Sequence, residues 1–355
     1  MAEVVFDALD LEPEARRDVA FLVAQHLEMS RLTFRRDHHD AGTVRQFADL
    51  VGSESRLQML CLLTLADIEA VGPGTLTPWK ADLLWEVYVR TYTELTHGYG
   101  DSTIAPGEAA VAALDAGRPA DLGADELSRV LDGFPRRYLT TTEPAQIYRH
   151  VRLARDIQPG EVRLLLDRRG EGWELAVVAL DRPYLFANIC GALAFCGMDI
   201  LRGSAITSRS GLVVDLFRFM DGEEFFARNP EGPARFEALL QAVVGGREDI
   251  ETRLRRKDHG LRHRRGPVRV LPVVQIDNEQ SPTYTVLELV AQDAPGLLHR
   301  VGRALSEHGC DVDLVLISTE GNRAIDVFHL TRAAAKLEPS LCDALSADLM
   351  RVLRD

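Results

Sequence analysis

The chain has 355 residues, of which 46% are hydrophobic and 27% are charged, and its formal net charge is -13. This length and composition predict a globular protein of about two to four domains with a substantial apolar core. An acidic chain repels nucleic acid and anionic lipid at long range, which argues against both as general partners. No stretch approaches the roughly 18 uncharged apolar residues of a transmembrane helix, and the start lacks the basic and apolar regions of a signal peptide. We therefore expect no membrane association.

Five cysteines are spread along the chain without a Cys-x-x-Cys pair: Cys61, Cys190, Cys196, Cys310 and Cys342. Most of them lie in apolar helical patterns, where a small buried thiol is the ordinary state of cysteine. An unpaired set of this kind indicates a reducing compartment, so we expect a cytoplasmic protein.

The first part of the chain has a helical pattern. Residues 14–97 place apolar side chains three and four positions apart, with a loop predicted at 71–78. Residues 100–126 are rich in glycine, alanine and aspartate, which is typical of a hinge. We therefore divide this half into a helical region, 1–99, and a hinge and connecting segment, 100–172.

An internal repeat organises the second half. A segment that starts at Asp181 recurs 112 residues later, at Asp293. The residues of the first copy that recur in the second are Asp181, Pro183, Leu185, Ala192, Leu193, Gly197 and Asp199. After a slip of one residue, Ile206, Asp215 and Phe217 match Ile317, Asp326 and Phe328. This agreement in order and spacing indicates a duplicated structural unit.

Each copy has the same predicted order of strands and helices. Alternating strands at 173–180 and 284–291 lead into an Asp-x-Pro turn and an amphipathic helix. Two further strands and a second helix follow, which is the order of a ferredoxin-like split βαβ fold. We therefore predict an α+β protein whose helical region is followed by two βαββαβ modules, at 173–246 and 283–355.

The segment between the modules, 247–282, is predicted to be a basic linker. Its part from 253 to 269 holds eight lysine and arginine residues. A basic stretch of this kind attracts RNA or an acidic protein, but it lacks the interleaved aromatic residues that stack on bases. A solvated connector is the simpler interpretation. A strand is also predicted near 267–276, and we assign it to the first module as its last strand.

The string Asp-Ala-Pro-Gly-Leu-Leu at 293–298, followed after the helix by Gly-Cys-Asp-Val, resembles the ACT domain. The resemblance implies amino-acid binding at this turn, where it faces a neighbouring module. The ligand-binding residues that it implies are Asp293, Gly296, Leu297 and Leu298. A helix N-terminus offers unpaired N–H groups to a carboxylate, and glycine lets a ligand approach the backbone closely.

The first copy departs from this pattern because Tyr184 stands where the second copy has Gly296. We expect a bulky side chain at this position to block the ligand or to force a different turn. Asp181 and Leu185 are therefore weaker candidates for ligand contact than their counterparts. A simpler alternative is that Asp181 and Asp293 only cap their helices.

A second resemblance covers most of the chain. LVAQHLEMSRLTFRRDHHD at 22–40, FPRRYL at 134–139 and QIDNEQSPTYTVLELVAQD at 275–293 are similar to the bifunctional PII uridylyltransferase/uridylyl-removing enzyme family. That family has a nucleotidyltransferase domain and an HD-type hydrolase domain. No glycine-rich turn with an Asp-x-Asp pair precedes residue 14.

The resemblance implies His26 and Asp67 as remnants of the hydrolase metal site, for which the family suggests magnesium or manganese. Two ligands do not close a hydrolytic site, which needs three or more. The adjacent pair His38 and His39 is a poorer candidate, because neighbouring side chains on a helix diverge.

These resemblances imply a regulatory protein of nitrogen metabolism that senses an amino acid, with glutamine as the expected ligand and no complete active site in this chain. They also imply the PII signal protein as a partner, and either a homodimer or internal pairing of the two modules. Two alternatives stay open. The chain is a portion of a working bifunctional enzyme, or it is an adaptor that binds protein or RNA through its basic linker.

Overall fold

A computed structural model describes residues 13–35, 40–72, 74–96, 103–105, 108–258, 270–320 and 322–354. The chain divides into two compact units, one up to position 97 and one from position 98 onward. Among the described residues, no helix is long and apolar enough to cross a membrane.

The first unit is helical, as its apolar spacing predicts. Its helices are α1 (Pro13–Gln25), α2 (Glu28–Arg35), α3 (Ala41–Val51), α4 (Glu54–Ala70) and α5 (Pro78–Thr96). Side chains that recur three and four residues apart form its core, among them Leu57, Leu60, Leu84, Val87 and Tyr88. Asp40 and Ser53 begin α3 and α4, since their side chains accept backbone N–H groups of the first turns. A cap of this kind stabilises a helix by about 1 kcal/mol.

The second unit begins with short helices: α6 (Ala109–Ala116), α7 (Ala124–Leu131), α8 (Arg137–Thr141) and α9 (Pro144–Ala154). Their apolar side chains form one core with Val178, Ile206 and Val214, which come from strands. The described part of 100–172 is therefore packed structure, although its composition suggested a hinge. The domain boundaries that we assigned from sequence remain predictions.

An eight-stranded antiparallel sheet dominates the second unit. Its strands are β1 (Val162–Arg169), β2 (Gly172–Leu180), β3 (Met198–Thr207), β4 (Leu212–Asp221), β5 (Val273–Asp277), β6 (Thr285–Gln292), β7 (Asp311–Glu320) and β8 (Arg323–Thr331). Across the sheet they lie in the order β1-β2-β4-β3-β7-β8-β6-β5. The predicted α+β class is confirmed.

The sheet joins two modules of the same design. The first module runs from β1 to β4 and the second module from β5 to β8. The opening strand pairs with the next strand in the chain in both modules, β1 with β2 and β5 with β6. Our assignment of 267–276 to the first module is wrong, because Val273–Asp277 pairs with β6 of the second module. Each module thus has the order ββαββα instead of the predicted βαββαβ. A strand at the start of each module takes the place of the strand that we expected at its end.

The modules meet along β3 and β7, which pair antiparallel from Arg202 with Ser318 to Ile206 with Leu314. The strand order is the same when read from either edge, so the two modules are related by an approximate twofold axis. The two modules of this chain therefore pair with each other. A homodimer remains a prediction.

Helices cover the second face of the sheet: α10 (Leu185–Phe195), α11 (Phe225–Arg228), α12 (Gly232–Val244), α13 (Ile250–Asp258), α14 (Leu297–Glu307) and α15 (Pro339–Val352). The two helices that begin at the Asp-x-Pro turns, α10 and α14, pack against each other across the twofold. Gly302 permits this approach, since a Cβ atom there would lie 3.1 Å from the Cα of Ala187. This packing places the β6–α14 turn beside the first module.

Candidate functional site

A cavity of about 60 Å³ lies between the modules at the start of α14. This is roughly four times the space that one water molecule needs. The first module contributes five lining residues: Cys190, Ala194, Met198, Asp199 and Ile200. The second contributes the turn 293–299 together with Ile317, Thr319, Ala324 and Asp326. The structure thus brings together all four residues that the sequence predicted in this copy, and their role in binding remains a prediction.

The turn before α14 exposes the start of the helix. Gly296 has a φ of 77° and a ψ of 6°, a left-handed conformation that favours glycine. The N-cap residue is Gly296, which has no side chain to cap the helix; the alternative in which Asp293 serves only as a cap remains untested. The N–H groups of the first helical turn have no partner within the helix and carry its partial positive charge. They can therefore take an anionic group.

Asp293 stands at the mouth of the cavity, directly before this turn. Its backbone N–H donates to the carbonyl of Asn322, with a distance of 2.9 Å from N to O, which fixes the turn to the start of β8. Partial desolvation raises the pKa of the Asp293 carboxyl, and the nearby Asp199 acts in the same direction. The side chain is exposed, so it stays available to a cationic group from solution.

Asp326 forms part of the cavity wall, and the sequence analysis did not propose it as a site residue. It lies in β8, is fully buried, and neither carboxyl oxygen has a hydrogen-bond partner among the described residues. Burial raises its pKa well above the ordinary value, Asp293 adds to this, and the backbone of Ser318 opposes it. The sequence does contain a sign of this residue. A carboxyl group stands at an inward position of the apolar strand RAIDVFHL, and Asp215 occupies the matching position in the other copy.

The remaining polar groups of the wall are already engaged. The His299 ring has each nitrogen against an acceptor, since Nδ1 lies 2.8 Å from the Ala187 carbonyl and Nε2 lies 2.9 Å from Glu251 Oε2. The Thr319 hydroxyl donates to the carbonyl of Ile200 at 2.8 Å. No lysine or arginine is among the described lining residues. The cavity therefore combines three carboxyl groups with the amide-rich start of a helix.

The equivalent turn of the first module has the same backbone but a different environment. Tyr184 has a φ of 65° and a ψ of 8°, so of the two expected effects of its side chain the different turn is not found, and the blocking of a ligand remains a prediction. A non-glycine residue pays about 1–2 kcal/mol for this conformation, which the packing of α10 outweighs. The Tyr184 N–H donates to the Ser306 hydroxyl at 3.2 Å. The position equivalent to Ser306 in the first module is Ala194, whose side chain has no hydrogen-bond acceptor.

Other features of the first site repeat the second. Asp181 Oδ1 accepts the N–H of Arg182 at 2.8 Å, and no side chain caps α10. Leu185 is buried at the start of α10. Asp215 is buried, like Asp326, and its carboxyl oxygens have no hydrogen-bond partner among the described residues. The two sites differ chiefly in whether the turn amide is already bonded within the chain.

The two metal-site residues suggested by sequence lie in the helical unit. His26 follows α1, and its Nδ1–H donates to the carbonyl of Val23 at 2.9 Å. Asp67 is exposed on α4. Within the described residues, no three or more histidine, cysteine, aspartate or glutamate side chains are placed to hold a metal ion. Among the described residues His26 and Asp67 therefore form no complete metal site, and their role as remnants of one remains a prediction. His38 and His39 lie outside the described residues.

Comparison with known proteins gives two results. The model of the ACT domain family matches residues 285–334, which include the β6–α14 turn. Bifunctional uridylyltransferase/uridylyl-removing enzymes are 34% identical over 91% of this chain in Rhodospirillum rubrum, 35% over 93% in Gluconobacter oxydans and 36% over 93% in Azospirillum brasilense.

The chain spans about a third of the length of these relatives, since the alignments cover 35%, 35% and 36% of them. It thus carries an ACT domain at its C-terminus and is homologous, over about nine-tenths of its own length, to bifunctional uridylyltransferase/uridylyl-removing enzymes.

Proposed function

We propose that the cavity at the start of α14 binds a free amino acid, with glutamine as the ligand, and that binding regulates nitrogen metabolism. The observation that carries this proposal is the uncapped turn of the ACT domain, which faces a cavity with Asp293 at its mouth. A free amino acid presents an ammonium and a carboxylate on one carbon atom, and this turn offers a partner to each.

The proposed mode follows from the charges around the turn. The ligand carboxylate lies against the amides at the start of α14, and its ammonium pairs with Asp293. Such charge-assisted hydrogen bonds contribute about 1.5–3 kcal/mol each. The PII signal protein is the partner that we propose for the regulated activity.

A second candidate is that this chain is a portion of a working bifunctional enzyme. The observation that favours it is the alignment of nearly the whole chain with about a third of each relative. Uridylyl transfer to PII and its removal, with magnesium or manganese, would then be activities of the whole protein. Assay of the purified chain for release of UMP from modified PII tests this, and we expect none from this chain alone.

The adaptor alternative has less support from the described residues. Lys257 of α13 contacts Glu223 at 2.7 Å, and Arg255 contacts Glu251 at 2.9 Å. These cations are partly neutralised within the chain, which lowers their value for an RNA backbone. A salt-dependent gel shift with single-stranded RNA would revive this alternative. The cytoplasmic location remains a prediction, and the five cysteines are free thiols in the structure.

Calorimetric titration of the full chain with each of the twenty amino acids tests the main proposal. We expect saturable binding of glutamine and weaker or undetectable binding of glutamate, whose extra negative charge would meet three carboxyl groups. If none of the twenty binds, the modules are structural and the sensing function fails.

A further inference from the structure

Building on the proposed amino-acid site, we propose that Asp326 receives the ammonium group of the ligand and that binding expels a proton from the Asp326 carboxyl. Asp326 would then be a ligand-contacting residue, paired with Asp293 around a single ammonium. The affinity of the cavity for its ligand would therefore depend on pH.

The geometry of Asp326 is the first support. Asp326 is fully buried and lines the cavity, and neither carboxyl oxygen has a well-formed hydrogen bond among the described residues, although the Ser318 backbone lies near enough to lower its pKa. Folded proteins pair nearly all buried polar groups, because a group without a partner loses its hydration and gains nothing in return. A group left in this state beside a cavity is suited to a partner that arrives with a ligand.

The charges around Asp326 indicate which partner fits. The titratable side chains that line the same cavity are Asp293, Asp199, Cys190 and His299. Burial raises the pKa of the Cys190 thiol well above its usual range, and the His299 ring is committed to Ala187 and Glu251. At the rim, Arg300 donates to the carbonyl of Pro295 at 3.4 Å. The described wall thus supplies carboxyl groups and no lysine or arginine, and its imidazole already lies against acceptors, so an ammonium is the complementary ligand group.

Proton balance follows from this arrangement. In the empty cavity, burial and the neighbouring Asp293 favour the neutral carboxyl form of Asp326. An ammonium at hydrogen-bond distance favours the carboxylate. The O–H bond of Asp326 then breaks, its proton passes to the solvent, and the ligand keeps its own charge. Up to one proton is therefore released for each ligand bound, at pH values below the titration of Asp326 in the empty protein.

Asp215 provides a matched control within the same chain. It is equally buried and unpaired, and it lies near Asp181 as Asp326 lies near Asp293. Its turn, however, carries Tyr184, whose N–H is already bonded to Ser306. We expect no ligand at this site, so a substitution of Asp215 should not alter binding.

Titration calorimetry with glutamine, between pH 5 and pH 8 in buffers that differ in ionisation enthalpy, measures the released protons. We expect release to approach one proton at the lower pH values, and affinity to rise with pH over the same range. Asp326→Asn should abolish the release and weaken binding about tenfold to a hundredfold. Asp215→Asn should leave both unchanged, and circular dichroism checks that both variants are folded.

The outcomes separate this inference from the proposed function. Binding of glutamine without proton release at any of these pH values would overturn the role of Asp326 and leave the amino-acid site intact. Glutaramate, which has the glutamine side chain and carboxylate but no ammonium, should bind at least tenfold more weakly, and equal binding would also overturn it. Failure of the parent chain to bind any amino acid would overturn both proposals.

Discussion

The backbone N–H of Tyr184 donates to the hydroxyl of Ser306, across the boundary between the two modules. The turn of the first module thus has its amide bonded to a residue of the second. The repeat equivalents of these two residues are Gly296 and Ala194, which line the same cavity, and Ala194 has no side-chain acceptor. The Ser306 hydroxyl therefore distinguishes the turn of the first module, whose amide is already bonded, from the turn of the second module, which faces a cavity.

Ala194→Ser should weaken ligand binding in the second module. The new hydroxyl is placed to accept the Gly296 N–H, as Ser306 accepts that of Tyr184, and it would compete with the ligand carboxylate. We expect a loss of about tenfold in affinity for glutamine, measured by calorimetry. Ser306→Ala is the matched control and should not weaken binding. An unchanged affinity for Ala194→Ser would show that the Gly296 amide does not contact the ligand.

Gly296→Tyr should remove binding without unfolding the module. Tyr184 already adopts the required left-handed turn, and a Cβ at Gly296 would meet only Arg300, at 3.9 Å. The substitution should lower the free energy of unfolding by about 1–2 kcal/mol, while its ring occupies the approach to the turn. Thermal unfolding and titration of the same sample check both parts. Retained binding would mean that the ligand lies elsewhere.

Asp313 should titrate near pH 6. Burial raises its pKa to about 6, and the hydrogen bond that its Oδ2 accepts from the Thr331 hydroxyl at 2.7 Å opposes the rise. Because the folded chain holds this proton more tightly than the unfolded chain, stability falls as pH rises from about 4 through 6. NMR titration of the carboxyl signal measures this pKa. Asp313→Asn should lack this part of the pH dependence of stability that the parent shows. A titration of the Asp313 carboxyl near pH 4 in the parent would contradict the prediction.

Glu251 should contribute stability that disappears in acid. Burial opposes its ionisation, but hydrogen bonds from His299, Arg303 and Arg255 outweigh burial and lower its pKa to about 2. The contribution is therefore complete above the unfolded pKa, near 4.5, and is lost as pH falls towards 2. We expect Glu251→Gln to cost about 1–3 kcal/mol at pH 7. Chemical denaturation measures the free energy of unfolding of the parent and of Glu251→Gln at pH 7 and pH 3. The difference between the two proteins should be smaller at pH 3, and an equal difference at both pH values would argue against this role.

The sequence was sufficient for features that depend on local pattern and repetition. The duplicated Asp-x-Pro turn predicted where α10 and α14 begin, and the four residues expected to bind ligand in the second copy lie together in one cavity wall. Strand β1 was missed, because its three leucines lie between charged residues next to a segment that resembles a hinge. Residues near 273–277 were correctly read as a strand but assigned to the wrong module, since local pattern does not specify which neighbour a strand pairs with.

Asp326 shows a different limit of sequence reasoning. Its position within an alternating apolar strand is visible, but the absence of a hydrogen-bond partner is a property of the packed sheet and helices around it. The difference between the two turns has the same origin. Ser306 and Ala194 are 112 residues apart, and each becomes relevant only because α10 and α14 pack across the twofold.

Comparison of three chains by calorimetry with glutamine tests the central claim most directly: the parent, Asp293→Ala and Asp181→Ala. One binding site per chain is predicted for the parent. Asp293→Ala should weaken it about tenfold to a hundredfold, and Asp181→Ala should leave it unchanged. Loss of binding in Asp181→Ala with full binding in Asp293→Ala would contradict the account, because the ligand would then occupy the turn that Ser306 closes.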